Sequence, residues 1–489
     1  MNVFAEVVLI VYLPAALALY LVFPPRRATL IVLIGGWLFL PVTGIEFQGI
    51  PNYTKMSAIA MAVVLGTVGT EPKRLLNFRP RWFDVPMAIW CFVPFVTSMS
   101  NDLGVYDGLS AMLTQTLMWG VPWLMGRVWF SDAEGMRELA MGVMIGGMIY
   151  VPLCLYEVRM SPQLHNTFYG APPSSFIHVG RFGGFRPVVF MRSGLEVGLW
   201  MTAGTLAAFW LWTSGTVRQV FGLPLGPLVG GLAITAVLCK SLGALLLLIA
   251  GLGILYTARW TRLAIPALML AAIIPTYMYV RTTGTWMGEN VVNVAASISE
   301  ARAQSLGFRF DNEEILIERA IERPVFGWGG WGRSRVTDED TGTDVSTTDG
   351  MWIIAMGQYG IVGLTALTTA MLLPIVLLWR RCPTRYWRGP PAVLAVIVLL
   401  FMADNLLNAM PNPVYMMAAG AVCGMPAFLM RAVGAGQLNQ RGQVPLPSQT
   451  RTVQPSRSRT LARAPRQRPV IARQSTRPPD PWTPRPRRM

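Results

Sequence analysis

What most constrains this chain is a succession of long apolar runs whose basic residues gather in alternate connections. Candidate spans lie at about 4–23, 28–44, 54–70, 84–98, 110–126, 138–157, 193–213, 220–239, 241–257, 263–280, 351–378, 391–410 and 414–430. Many of them reach the roughly 18 apolar residues that a helix needs to cross a bilayer. Arg26 and Arg27 follow the first span, and Lys73, Arg74, Arg79 and Arg81 follow the third. Arg127 and Arg137 flank the loop after the fifth, Arg218 follows the seventh, and Arg259 and Arg262 follow the ninth. Arg380, Arg381, Arg385 and Arg388 follow the eleventh, whereas GIEFQGIPNY and SNDLGVYDG carry no lysine or arginine. All the basic short loops therefore share one side. The positive-inside bias makes that side cytoplasmic, with the N-terminus outside and the C-terminus inside. The expected fold class is all-α: a polytopic membrane helix bundle of about 12–13 transmembrane helices.

Composition supports the membrane reading. The chain is 53% hydrophobic and 13% charged, against about 25% charged in soluble domains. The first run has no basic residues before it and no small-residue cleavage site after it, so it is expected to be a retained helix. Five scattered cysteines, with no CxxC, predict neither a disulfide framework nor a thiolate metal site. The net charge of +16 sits mainly at one end, since Arg441 to Met489 holds twelve arginines and one acid, Asp480, for +11. Residues 1–433 are thus read as the bundle and 434–489 as a disordered, Arg/Pro-rich cytoplasmic tail. The tail suits anionic lipid headgroups, and its tether to a membrane bundle argues against nucleic acid.

The alternation places two long loops together on the outer face, loop A at 159–192 and loop B at 281–350. Loop A holds both histidines of the chain, His165 and His178, with Arg159, Arg181, Arg186 and Arg192. Lys240, in the CKSLG turn, also points outward. Basic groups outside run against the bias that sets the topology, and they ask for an anionic ligand. Guanidinium groups bind phosphate oxygens by two-point contacts, so Arg181 and Arg186 are candidate phosphate ligands. Glu196, one turn into the following span, is either a catalytic acid or the i,i+4 partner of Arg192.

Loop B carries twelve of the chain's 25 acids. Its SLGFRFDNEEILIERAIERP stretch predicts an amphipathic helix, with Phe310, Ile315, Leu316 and Ala320 on the apolar face and Glu313, Glu314 and Glu318 on the wet face. The FGWGGWG glycines allow close backbone approach. Trp328 and Trp331 offer faces for sugar rings or for the headgroup zone. Asp349, just before the next span, is placed to serve as a proton acceptor, as an N-cap, or both. No GxxxxGK[ST] or HExxH is present, and DEDTGTD lacks the distal glutamate of a calcium loop, so neither metal nor cofactor is expected.

In order and spacing these pieces resemble the O-antigen ligase and polysaccharide polymerase superfamily of bacterial inner-membrane proteins. The resemblance covers Arg181 to Gly363. It rests on RFGGF before a span, the KSLGA turn, the series Arg309, Ala320, Arg323, Pro324, Gly327 and Gly329, and the GQYGIVGL start of the next span. It implies a metal-independent, inverting glycosyl transfer on the outer face of the cytoplasmic membrane. The donor would be a glycan on a polyprenyl diphosphate, and the acceptor a glycan or a lipid. Arg309 matches one diphosphate-binding arginine of the family, Arg181 or Arg186 stands where another is expected, and Arg323 belongs to the same series. Two departures stand out. Thr348-Asp349-Gly350 occupies the place of a family histidine, which makes Asp349 the expected base, with Glu196 and His178 as the other candidates. Leu242 stands where many members carry arginine, with Lys240 as the nearby replacement. A flippase for lipid-linked oligosaccharide or a non-catalytic scaffold would share the span count. A transporter, however, expects ionisable or broken-helix features near mid-membrane, whereas here the polar mass lies at one face.

Overall fold

A computed structural model describes residues 2–47, 49–173, 180–181, 183–330, 332–337 and 343–427. His178, Trp331 and the tail from 428 onward lie outside them. The helices run in order α1 Val3–Val22, α2 Pro25–Phe39, α3 Lys55–Thr70, α4 Pro72–Leu76, α5 Val85–Ser100, α6 Val105–Gln115, α7 Val121–Trp129, α8 Ala133–Met160 and α9 Leu164–Tyr169. They continue as α10 Gly194–Thr213, α11 Leu225–Leu238, α12 Leu242–Thr261, α13 Ile265–Thr282, α14 Glu289–Ile298, α15 Glu300–Ile321, α16 Met351–Arg381, α17 Pro390–Asp404 and α18 Pro413–Gly424. Three two-stranded hairpins are the only sheets among the described residues. The protein is an all-α polytopic helix bundle. Among the described residues seven helices are long and apolar enough to cross a membrane, and Lys55–Thr70, Leu225–Leu238, Pro390–Asp404 and Pro413–Gly424 are shorter apolar ones.

Each expected span falls on a helix, with α6 and α7 joined by a π-helical turn, Thr116–Gly120, where one span was expected. Hydrogen bonds sort the connections onto two faces. On one, Asn2 N–H donates to Tyr169 O, Asn101 Nδ2 to Gly327 O, and Met351 N–H to Asn405 O. Both long loops lie there, and we call it the loop face. On the other, Arg26 pairs with Asp132, Arg127 with Asp84, and Arg381 Nη1 donates to Cys423 O. The second face is the one where the short loops concentrate arginine.

The short helices survive because of where they sit. From Pro390 to Met402 every residue of α17 is buried, and Pro413 to Cys423 of α18 likewise. A helix apolar all round belongs in an interior, and one shielded by neighbours has no need to match the bilayer thickness. By contrast Leu21, Ile249 and Met269, on α1, α12 and α13, are exposed apolar side chains, as a lipid-facing rim requires. Helix ends are closed by side chains: Asn2 accepts from Ala5 N–H, Asp132 from Gly135 N–H, and Asn412 from Val414 N–H. With no water in the hydrocarbon layer such groups must be satisfied internally.

Loop B is mostly helix. Its α15 begins at Glu300 and shows two departures from the expected faces. Glu313 is buried rather than wet, and Ile315 is exposed while Ile317 is buried. The reason is a polar socket. Glu313 Oε2 accepts from Tyr277 OH at 2.7 Å and Arg281 Nε at 3.2 Å, and Oε1 from Trp352 Nε1 at 3.1 Å. Glu314 and Glu318 do face solvent.

Candidate functional site

Arg309, Asn312 and Glu313 stand at i, i+3 and i+4 on α15, so they share one helix face. Glu313 locks that face onto α13 and α16. Asn312 Oδ1 accepts from Thr347 N–H at 2.6 Å and so holds the strand of chain that leads into α16. With the helix and the incoming chain both fixed, Arg309 Nε comes to 3.4 Å from Asp349 Oδ2. The side chains of this pair are 25% and 37% exposed. Asp349 does not cap α16: the cap is Gly350, with no side-chain hydrogen bond. Instead the first N–H of the helix, Met351, donates to Asn405 O and Asn408 O. The carboxylate of Asp349 is left for other work.

Next to this pair stands Asp404, at the loop-face end of α17 and close enough to Arg309 to interact electrostatically. Its Oδ1 accepts from Asn408 Nδ2 at 3.0 Å, and its Oδ2 is buried with no hydrogen-bond partner among the described residues. An ionisable residue at the end of an apolar span was the visible signal for it.

Two other expected ligands form a second cluster. Arg186 is buried, crosses Gly194 and donates from Nη2 to Lys240 O at 3.0 Å. The Lys240 ammonium sits on Gly184, in the small hairpin β3 Gly180–Arg181 and β4 Gly184–Phe185. Arg181 lies in that hairpin by backbone. The loop leading to α10 is pinned by Glu157, a buried residue that sequence reasoning missed. It accepts from Leu164, Val188 and Val189 N–H at 2.9, 2.8 and 2.7 Å. Helix α17 packs against α10 and α12 on the side of this cluster and against α13 and α16 on the side of Arg309. Its end therefore lies between them.

The glycine and tryptophan segment makes the close backbone approach expected of its glycines, whereas Trp328 has a different job from the one expected. It lies along α16 where that helix breaks at Gly360 (φ 62°, ψ −164°). Trp328 N–H donates to Gly357 O at 2.9 Å, Gly329 N–H to Gln358 O at 3.0 Å, and Ile361 N–H to Pro324 O at 2.8 Å. A side chain at Gly360 would overlap the Val325 carbonyl, and one at Gly327 would meet the Gln358 backbone at 2.5 Å. Trp328 is no open sugar platform. Its ring is covered by Arg319 and Arg323, with guanidinium carbons 3.4 and 4.5 Å from the ring centroid, and its Nε1 donates to Arg319 O at 2.7 Å. Arg323 also bonds Asn101 Oδ1. Both residues fasten the segment to α5 and α15, and neither is arranged to receive a ligand.

Glu196 is not the ion-pair partner of Arg192. Its Oε2 accepts the Arg192 backbone N–H at 2.8 Å, while Ser193 Oγ accepts from Glu196 N–H. The Arg192 guanidinium has no hydrogen-bond or ion-pair partner among the described residues. His165 is structural: its Nε2 accepts from Val42 N–H at 3.1 Å, so Nδ1 carries the proton donated to Ala171 O at 2.6 Å. Burial holds its pKa below the usual histidine value. For Glu313, burial pushes the pKa up, against the hydrogen bonds from Tyr277, Trp352 and Arg281.

Compared with known proteins, the chain matches no family model and no curated protein.

Proposed function

We propose that this protein is a membrane glycosyltransferase that transfers or polymerises glycan from a polyprenyl-diphosphate-linked donor at the loop face, which the arginine asymmetry puts outside the cytoplasmic membrane. The observation that carries the reading is the Arg309–Asp349 pair. A half-exposed pair with one 3.4 Å contact is worth roughly 0–1 kcal/mol, whereas a phosphate offers an arginine two parallel charge-assisted bonds. An arriving diphosphate would draw Arg309 away and release the Asp349 carboxylate. The acceptor hydroxyl attacks the anomeric carbon, its proton passes to Asp349, and the bond to the diphosphate oxygen breaks. Negative charge then grows on the leaving diphosphate, where Arg309 can stabilise it. Arg186 and Lys240 supply further positive charge on the same face. The polyprenyl chain fits the apolar groove of about 390 Å³ between α13 and α16, walled by Met278, Met356 and Leu364.

The test is reconstitution of the full chain in liposomes with a polyprenyl-diphosphate glycan, with free polyprenyl diphosphate as the readout. Release by wild type, loss in Arg309→Ala at unchanged protein level, and poor rescue by Arg309→Lys are expected, because an ammonium cannot make the planar two-point contact. Release by Arg309→Ala at the wild-type rate would remove this pair from the chemistry.

A further inference from the structure

Behind the segment that connects α17 to α18 lies a second charged pocket. It is a cavity of about 330 Å³, lined by Trp37, Lys55, Met118, Arg192, Glu196 and Met410 among others. Lys55 and Glu196 are 6% and 5% exposed. A lysine and a glutamate buried this deeply among apolar helices are costly to keep, so they mark a functional site. They are close enough to interact electrostatically, but no ion pair within 4.0 Å or direct hydrogen bond joins them, so the space between them is open to a ligand. The Lys55 ammonium makes one hydrogen bond, to Phe190 O at 3.2 Å, and lies 4.6 Å from the centre of the Trp37 ring. Trp37 is itself 5% exposed, and its indole N–H is buried without an acceptor among the described residues. Arg192, at the rim, has a guanidinium with no hydrogen-bond or ion-pair partner among the described residues, near enough to Glu196 to interact electrostatically.

We propose that this cavity binds an acidic sugar, with Lys55 and Arg192 on its carboxylate or phosphate and Glu196 accepting from a hydroxyl. The donors on the page call for an anion, the buried carboxylate calls for a hydrogen-bond donor on the same molecule, and the methionine walls suit the C–H face of a pyranose. A volume of this size falls within the range of small-molecule pockets. The cavity also adjoins the transfer site. Ser193 Oγ lies 3.4 Å from Met410 Sδ, and Met410 is in the segment whose Asn405 and Asn408 carbonyls cap α16 beside Asp349. Its assignment as the acceptor subsite rests on the transfer reading, whereas binding of the sugar requires no turnover.

The experiment is binding to the purified full-length protein in neutral-lipid nanodiscs, read by thermal stabilisation and calorimetry. The probes are glucuronate, glucose 6-phosphate and glucose. Glucuronate or glucose 6-phosphate should bind and glucose should bind at least about tenfold more weakly, the loss expected when charge-assisted hydrogen bonds are removed. Lys55→Gln should abolish that preference. Arg192→Gln, at an exposed side chain with no hydrogen bond or ion pair among the described residues, should fold as wild type and weaken acidic sugars alone. Equal binding of all three sugars, or an acid preference unchanged in Arg192→Gln, overturns the proposal. So does stabilisation by phosphatidylglycerol with none by either acidic sugar. Acid-selective binding in a protein that releases no polyprenyl diphosphate would support the pocket and sink the transfer reading. Release without acid-selective binding would do the reverse.

Discussion

Two arginine–carboxylate pairs flank the start of α16, one turn of α15 apart, and they are opposites. Arg281 and Glu313 are 1% and 5% exposed, and every acceptor is used: Glu313 takes Tyr277, Arg281 and Trp352, and Arg281 also donates to Phe310 O and Trp286 O. Arg309 and Asp349 touch once and remain open to solvent. The first pair is a fastening that a ligand could not enter. The second is held in place by the first and costs little to open, which is what a reactive carboxylate needs. Charge and residue type are the same in both, so burial and saturation decide the role.

The contrast breaks most sharply at the buried pair. Removing one partner strands the other charge in the interior, so Glu313→Ala or Arg281→Ala should lose about 3–5 kcal/mol of stability. The check is thermal denaturation in detergent together with the amount of protein in the membrane. Equal stability would mean that the two pairs do not differ as described. At the open pair the effect should fall on chemistry: Asp349→Asn should melt with wild type yet release polyprenyl diphosphate on the order of 10²–10⁴-fold more slowly. If Asp349→Asn turns over normally, the proton goes elsewhere, and Asp404 with its free buried oxygen is the next residue to substitute. Arg309→Gln should shift stability by no more than about 1 kcal/mol.

The break at Gly360 sharpens the comparison from the scaffold side. Its φ and ψ belong to a region that only glycine occupies without strain, so Gly360→Ala should cost about 1–3 kcal/mol from the backbone alone. It should also unseat Val325 from α16, and proteolysis between Arg319 and Ser334 is the readout. Acid should produce the smallest effect. The folded-state pKa of His165 is depressed, so its contribution is complete above the ordinary value near 6.5 and is lost as the pH falls through the lower folded value. Protonation there removes one hydrogen bond, from Val42, worth about 1 kcal/mol. The melting temperature should fall between pH 7.5 and pH 5, and His165→Gln should flatten that fall. An unchanged slope in the variant would show that other groups govern it.

How much of this was legible in the sequence follows from range. Helix order and the two-face sorting of the loops came from runs and charges that are local in the chain. Arg309 and Asp349 were singled out differently, by a resemblance in the motif series and by the departure from it at Thr348-Asp349-Gly350. Glu313 was misread because helical periodicity says which residues share a face, and not what meets that face. Tyr277, Arg281 and Trp352 come from outside the helix and turn a wet position into a buried one. Trp328 was misread for the same reason, since the arginines that cover it are known only once α15 folds back. Lys55 gave no warning at all: one basic residue at the head of an apolar run looks like an interfacial anchor.

The sequence by itself determined that the chain is a membrane helix bundle, which connections share a face, and that polar mass gathers at one of them. Those properties follow from hydrophobic length and from charge placement, and both are written residue by residue. Only the tertiary structure decided which charges are spent and which are free. That depends on whether a partner from a distant helix arrives within hydrogen-bonding distance, as Tyr277 does for Glu313 and as no side chain does for Arg192. An ion in a low-dielectric interior is costly unless such a partner meets it, so the packing of the helices, and not the order of the residues, separates fastening from site.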